Sequence, residues 1–173
     1  IRAKLELATM IESIRTIIND MREIIYDLRP MTLNDLGLKA AIERYVDNYK
    51  KHNKLHVIVS IEDALEIKNQ VVSITIYRII QEACNNISKH AQATICKIGL
   101  LQKEESIQLT IEDNGIGFEE SSKCKGTSEN CGFGLTNMKE RVYLLSGKFS
   151  IESNNESGTK IIVTIPCCID KGD

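Results

Sequence analysis

The chain has 173 residues, of which 42% are hydrophobic and 27% are charged, and its formal net charge is −2. This composition is ordinary for a globular chain with one sizeable core, and the near-neutral charge provides no basic field, which disfavours nucleic-acid binding. No apolar run is as long as a membrane span and no signal peptide is evident, so we expect a cytoplasmic segment without membrane contact, whether or not the full-length protein is anchored.

The first predicted element is a long helix over residues 7–28. Its apolar residues recur at alternating spacings of four and three, which indicates the seam of a helix bundle. No matching long helix occurs in the chain, so we expect the partner helices to come from a second copy, from residues ahead of Ile1, or from both. A helix packed on its own domain is the alternative. Arg29 followed by Pro30 ends this helix, because the residue before proline disfavours helical angles.

The following elements alternate between helical and strand patterns. A shorter amphipathic helix follows Gly37. Two further helices are predicted at 71–90 and 135–146, and strands at 55–61, 93–101, 107–113, 149–153 and 159–166. Strands joined both by hairpins and by helices indicate an α+β chain, a two-layer sandwich in which helices cover one face of a sheet.

Asp113 is the first candidate for a functional residue. Ile107, Leu109, Ile111 and Asp113 alternate along one strand, so the carboxylate points to the same buried face as the apolar side chains. Burying a carboxylate costs several kcal/mol unless a donor meets it, and a purine amino group would be a suitable donor. The alternative is that Asp113 only caps its own turn.

Two glycine clusters follow, Gly115/Gly117 and Gly132/Gly134, on either side of a polar stretch at 119–131. Glycine permits close approach of the backbone, and the second cluster opens onto a helix whose N-terminal N–H groups favour a phosphate. Together they predict a nucleotide pocket with a lid. Neither cluster is a Walker loop or a complete Rossmann fingerprint, and glycines that only build loops are the alternative.

A polar stripe lies on the predicted helix 71–90. Glu82 and Asn86 are four residues apart, with Arg78 one turn before them and Lys89 and His90 one turn after. Asn86 could ligate Mg²⁺, Glu82 could accept a proton from an attacking group, and the two basic residues could meet phosphate oxygens. A solvated helix face is the alternative.

The six cysteines show no C-x-x-C spacing. This disfavours a zinc site. In a reducing compartment we expect free thiols.

Four motifs together resemble the GHKL (Bergerat-fold) ATPase superfamily. QEACNNISKHA at 81–91 resembles its N box, DNGIGF at 113–118 its G1 box, GFGLTNMKERV at 132–142 its G2 box, and SGT at 157–159 its last nucleotide-contacting turn. Within the superfamily, these motifs and DLRPMTLNDLGLKAAI at 27–42 are similar to sensor histidine kinases that partner response regulators of the LuxR/NarL type. The resemblance covers nearly the whole chain.

The resemblance implies a role for each motif. Asp113 would accept a hydrogen bond from the adenine amino group, Asn86 would ligate Mg²⁺, Glu82 would be the general base, and residues 119–131 would form the ATP lid. The other ATP-binding residues that it implies are Lys89, His90, Gly115, Gly117, Gly132, Gly134, Leu135 and Thr159. The chain would transfer the γ-phosphoryl group of ATP to a histidine, and thence to an aspartate of the response regulator.

The resemblance also implies the domain organisation. Residues 1–29 would be the second helix of a dimerisation hairpin that forms a four-helix bundle in a homodimer, 30–54 a connecting segment with the first helix of the catalytic domain, 55–168 the ATP-binding core, and 169–173 a tail. No helix carrying the phosphoacceptor histidine occurs, and His52, His56 and His90 are poor substitutes. We therefore expect a fragment that binds ATP without phosphorylating itself.

Three other functions share parts of this pattern. Gyrase-like and chaperone-like ATPases have the same pocket, but not the bundle helix or the segment at 27–42. Anti-sigma serine kinases also lack such a helix. A dimerising interaction module with a vestigial pocket is the non-enzymatic alternative, which the intact Asn86, Asp113 and glycine clusters disfavour.

Overall fold

The computed structural model describes residues 31–53, 55–118, 133–154 and 157–167. The predicted bundle helix at 7–28, the lid at 119–131 and the tail lie outside these residues. Contacts divide the chain into two units, Ile1–Gly37 and Leu38–Asp173. The first unit is described over residues 31–37, which are helical up to Gly37. The sheet and the candidate site belong to the second unit.

The described chain contains three helices, a π turn and five strands. In order they are α1 (Met31–His52), β1 (His56–Ile61), α2 (Gln70–Asn86), a π turn (Ile87–Ala91), β2 (Ile95–Lys103), β3 (Ser106–Asp113), α3 (Phe133–Tyr143), β4 (Lys148–Ser153) and β5 (Thr159–Pro166). Each predicted strand is present. Helix α1 begins before Gly37, which interrupts it with a non-helical φ of 78°. None of the described helices is long and apolar enough to cross a membrane.

The strands form one five-stranded sheet in the order β1-β2-β3-β5-β4. Strand β1 runs parallel to β2, and every other neighbouring pair is antiparallel, including the predicted hairpin of β2 and β3. A parallel pair needs a crossover connection, and α2 with its π turn provides it between β1 and β2.

Helices cover one face of this sheet. On that face of β3, Ile107, Leu109 and Ile111 are buried, as the alternation predicted. The helices contribute buried apolar residues of their own, among them Val72, Ile76 and Ile80 of α2 and Met138 and Val142 of α3. The two-layer α+β sandwich predicted from the sequence is therefore confirmed.

Helix α2 ends in a π turn where the sequence predicted a regular helix to residue 90. The Tyr49 hydroxyl of α1 donates a hydrogen bond to the Cys84 carbonyl at 2.8 Å, and the Ser88 hydroxyl donates one to Asn53 Oδ1 at 2.9 Å. The Tyr49 bond gives the Cys84 carbonyl a partner outside the i−4 ladder of α2, which is consistent with the wider turn that follows. Burial raises the pKa of Tyr49 to about 12, so its hydroxyl stays a donor at neutral pH.

Two buried thiols lie beneath this end of the helix, Cys84 on α2 and Cys96 on β2. A hydrogen bond with Cys96, together with burial, raises the pKa of the Cys84 thiol. Both are free, as is Cys167. The thiols therefore pack as small apolar side chains in the layer between helix and sheet.

Leu109 tests the assignment of the covered face. It is 1% exposed and lies opposite Leu100 and Val163, whereas Gln108 points to the other face. We expect Leu109→Ala to lower the free energy of unfolding by about 2–5 kcal/mol, because it leaves a cavity in the core. Gln108→Ala should change it by no more than about 0.5 kcal/mol. Urea denaturation of both variants measures this, and equal losses would contradict the assignment.

Candidate functional site

A cavity of about 220 Å³ lies between α2 and the sheet, at the end where β3 leads into the first glycine cluster. Its apolar walls include Ala83, Ile87, Ile111, Phe118, Ile151 and Ile161. Six of the residues predicted from the sequence also line it, namely Asn86, His90, Asp113, Gly117, Leu135 and Thr159. Clefts that enclose whole drug-sized ligands measure roughly 300 Å³ or more. The cavity therefore suits the ring system of a ligand better than a complete nucleotide.

Asp113 is the buried acid of this cavity. Its residue is 6% exposed, and its Oδ1 accepts a hydrogen bond from the Gly115 N–H at 2.8 Å. Burial raises the pKa of this carboxyl above its ordinary value, while backbone hydrogen bonds from Gly115 and Thr159 act in the opposite direction. Asp113 therefore does cap its own turn, which was the alternative considered from the sequence. This role does not exhaust the carboxylate, which has about four lone-pair positions.

The first glycine cluster is held against the end of α2. The Ile116 N–H donates to the Ala91 carbonyl at 2.8 Å. A Cβ atom on Gly115 would overlap that carbonyl oxygen and lie 2.8 Å from Asp113 Oδ1, so only glycine permits this approach. Gly117 has a φ of 63°, in the left-handed region that favours glycine. Gly117 lines the cavity, and Gly115 sets how closely the loop before it lies against α2.

The start of α3 lies beside the polar stripe of α2. A Cβ atom on Gly134 would overlap Glu82 Oε1 and lie 3.5 Å from Asn86 Nδ2. Asn86 lines the cavity, whereas Glu82 does not and lies next to Gly134. Lys89 is exposed and does not line the cavity. Gly132 lies outside the described residues.

Two polar residues near the cavity were not predicted. Asn114 Oδ1 accepts hydrogen bonds from the N–H groups of Thr94 and Ile95, at 2.9 and 2.8 Å, and so joins the glycine loop to the entry of β2. Ser153 bonds to the backbone of Phe118 and to the side chain of Thr159. The preference of Asn for turns was a signal for the first residue. Nothing in the local sequence marked the second.

The hydrogen-bond acceptors of the cavity fit a planar ring that carries an amino group. A carboxylate with spare acceptor capacity lies among apolar side chains, which is a favourable environment for a partly polar heterocycle. At the other side Asn86 offers an amide oxygen and His90 a ring nitrogen. An amide oxygen is a ligand that Mg²⁺ accepts alongside phosphate oxygens and water.

Residues 71–168 match the family described as "Histidine kinase-, DNA gyrase B-, and HSP90-like ATPase". Similar curated proteins include the signal transduction histidine-protein kinase/phosphatase DegS of Brevibacillus brevis, which is 35% identical over 80% of this chain and 35% of its own length. The oxygen sensor histidine kinase NreB of Staphylococcus carnosus is 34% identical over 80% of this chain and 39% of its own. The sensor histidine kinase ComP of Bacillus subtilis is 34% identical over 92% of this chain and 20% of its own.

Solved structures share the fold at lower identity. The histidine kinase AdeS of Acinetobacter baumannii aligns with a TM-score of 0.65 and 16% identity, over 92% of this chain and 84% of that one. A histidine kinase domain of the blue-light activated kinase EL346 of Erythrobacter litoralis aligns with a TM-score of 0.60 and 17% identity, over 75% of this chain and 61% of that one.

Gly115→Ala tests the close approach of the loop to α2. We expect it to lower the free energy of unfolding by about 1–3 kcal/mol, because the added methyl group must displace either the Ala91 carbonyl or the loop. Gly99→Ala on β2 is the matched control, since nothing lies within 4 Å of its Cβ position, and it should be neutral or slightly stabilising. Thermal unfolding compares the two. A tolerated Gly115→Ala would contradict the packing of this loop.

Asp113 should make the stability of the protein depend on pH. Its pKa is raised in the folded state, so its contribution to the free energy of unfolding is greatest below the unfolded pKa of about 3.9 and falls as pH rises through the folded pKa. In Asp113→Asn this fall should disappear. Thermal unfolding of both proteins between about pH 3 and pH 7 measures the difference.

Asp63 is the internal control for this titration. It is fully exposed, and a hydrogen bond from Lys39 lowers its pKa. In ¹³C NMR spectra of the side-chain carboxyls, Asp113 should therefore titrate at higher pH than Asp63. The reverse order would show that Asp113 is not held in a desolvated site.

Proposed function

The chain belongs to the family of histidine kinase-, DNA gyrase B- and HSP90-like ATPases, and we propose that it is the ATP-binding catalytic part of a two-component sensor histidine kinase. Family membership implies ATP binding. It also confirms the resemblance predicted from the four motifs and, with the solved structures, the GHKL sandwich fold. The chain spans between a fifth and two fifths of the length of the curated relatives cited, so the activity of the whole protein is inferred.

The observation that carries the proposal is the buried carboxylate of Asp113 on the cavity floor. An adenine amino group can donate to it, and the apolar side chains that line the cavity can pack against the ring. This interaction would hold the base in a fixed place, so that the phosphates extend toward Asn86 and the start of α3. Fixing one end of a substrate in this way lowers the entropic cost of the later transfer.

The phosphate end is assigned to α2 and its π turn. Mg²⁺ would be held by Asn86 together with phosphate oxygens, and when bound it would neutralise charge on the transferred group. His90 lines the cavity. Lys89 is exposed next to it in sequence, where its ammonium group could contact a phosphate oxygen of ATP outside the cavity. Glu82, next to Gly134, would act as the general base that accepts a proton from the attacking group.

The proposed whole protein is a homodimer whose helix bundle includes residues 1–29 and presents the phosphoacceptor histidine from a segment outside this chain. We propose that the phosphoryl group passes on to a response regulator of the LuxR/NarL type. The predicted limits of 30–54 for the connecting segment and 55–168 for the catalytic core are kept, and the family match falls inside the core. A cytoplasmic location of this segment completes the proposal.

The other functions weighed from the sequence share the pocket. In a gyrase-like or chaperone-like ATPase, Glu82 would activate a water molecule. In a serine kinase, a serine hydroxyl would receive the phosphoryl group. Identities of 34–35% over 80% or more of this chain, all to proteins named as histidine kinases, favour the histidine kinase.

Calorimetric titration with ATP tests the pocket. We expect Mg²⁺ to strengthen binding, and Asp113→Asn to weaken it about tenfold or more, because it removes a charge-assisted hydrogen bond of roughly 1.5–3 kcal/mol. Asn86→Ala should abolish the gain from Mg²⁺ while Mg²⁺-free binding persists. The exposed Asp63→Asn is the control and should bind like the wild type.

The reaction is then tested by incubating the full-length protein with ATP labelled in its γ-phosphate and identifying the residue that carries the label. Phosphate on histidine, which is labile in acid and stable in base, would support the proposal. Phosphoserine, or release of free phosphate without a phosphorylated protein, would overturn it in favour of a serine kinase or an ATPase. Absence of ATP binding by the folded chain would favour the interaction module.

A further inference from the structure

Ser153 lies at the end of a row of side chains that crosses the sheet beneath the cavity. In the strand register, Asp113 of β3 is opposite Thr159 of β5, and Thr159 is opposite Ser153 of β4. Residues directly opposite one another project from the same face of a sheet. Asp113 and Thr159 line the cavity, whereas Ser153 is behind Thr159 and does not. Any influence of Ser153 on a ligand must therefore pass through its neighbours.

The hydroxyl of Ser153 has three partners. Its Oγ lies 2.9 Å from the Phe118 nitrogen, 3.1 Å from the Gly158 carbonyl oxygen and 3.0 Å from Thr159 Oγ1. A hydroxyl has one proton to donate and two lone pairs to accept with, so these three partners can occupy all of its capacity.

The chemistry of the partners decides the direction of each bond. The Phe118 N–H can only donate, so it occupies one lone pair of Ser153. The Gly158 carbonyl can only accept, so it takes the Ser153 proton. The bond with Thr159 must then run from the Thr159 hydroxyl to the second lone pair of Ser153. The Thr159 proton consequently points away from the cavity.

In this arrangement Asp113 and Thr159 are both hydrogen-bond acceptors toward a ligand. Asp113 can accept through its carboxylate oxygens, and the Thr159 hydroxyl, with its proton committed to Ser153, can only accept from a ligand that reaches it. Both groups can accept from a ligand and neither can donate. A ring with an amino group next to them is favoured, and a ring with a carbonyl oxygen in that place would meet acceptors on both sides.

We propose that Ser153 is a positioning residue that fixes the direction of the Thr159 hydroxyl, and thereby the preference of the pocket for a 6-amino purine over a 6-oxo purine. The inference rests on the proposed binding of ATP and adds a determinant of base specificity that does not touch the base.

Inosine triphosphate is the probe, because its ring carries an oxygen where ATP carries the amino group. Its ring also carries a proton on N1, and this second difference is the same for every variant compared. The quantity measured is the ratio of the dissociation constants of inosine triphosphate and ATP, each determined by calorimetry on the same protein. A loss of folded protein cancels in this ratio. We expect Ser153→Ala to lower the ratio by about threefold to tenfold, because the freed Thr159 hydroxyl can then donate to the oxygen.

Three variants separate positioning from general damage. Ser153→Thr keeps the hydroxyl and should restore the wild-type ratio. Ser150→Ala, on the exposed face of the same strand, should leave the ratio unchanged. In a Thr159→Val background, which has no hydroxyl to direct, Ser153→Ala should produce no further change in the ratio.

The outcomes distinguish this inference from the proposed function. If the wild type binds ATP and Ser153→Ala leaves the ratio unchanged, the role of Ser153 is wrong and the proposed function stands. An equal fall in the Thr159→Val background would also overturn it, since Ser153 would then act by another route. Failure of the folded wild type to bind ATP would overturn the proposed function, and this inference with it.

Discussion

Burial of one carboxylate constrains the whole site. Desolvating an ionised Asp costs several kcal/mol unless donors meet it, so the structure around Asp113 must supply them. The Gly115 N–H is one such donor, and its position requires the glycine loop to lie against the Ala91 carbonyl at the end of α2. The register of β3 with β5 brings Thr159 alongside. Asp113 also lines the cavity, so its other lone pairs can accept from a ligand there. A ligand with a hydrogen-bond donor in that position is therefore favoured over one without.

The sequence predicted that Asp113 lies on the covered face of the sheet, because the alternation of side chains along a strand is a local property. Alternation of Ile107, Leu109 and Ile111 was sufficient to place Asp113 on the covered face, and the same reasoning located all five strands. The π turn and Ser153 escaped prediction for a common reason. The bonds of Tyr49 to Cys84 and of Phe118 to Ser153 each join residues 35 positions apart. Such partners become visible only when the topology is known, and the parallel pairing of β1 with β2 is a third feature of this kind.

The two ends of the proposed nucleotide site rest on different kinds of structure. The base end is built on three neighbouring strands, β3, β5 and β4, whose ladders fix Asp113, Thr159 and Ser153 relative to one another. The phosphate end is built on the π turn and the start of α3, where residues such as Asn86 and Gly134 meet from separate helices. In this proposal, recognition of the base depends on the sheet, and the chemistry depends on how two helix ends meet.

The small volume of the cavity has a consequence for inhibitors. A compact heterocycle that carries an amino group and fills only the space of about 220 Å³ would compete with ATP without any phosphate of its own. Its anchoring group would be Asp113, on which the proposed binding of the natural substrate also depends. Substitutions of Asp113 that weaken the inhibitor would weaken the proposed binding of ATP as well, so a change at Asp113 would be a costly route to drug resistance.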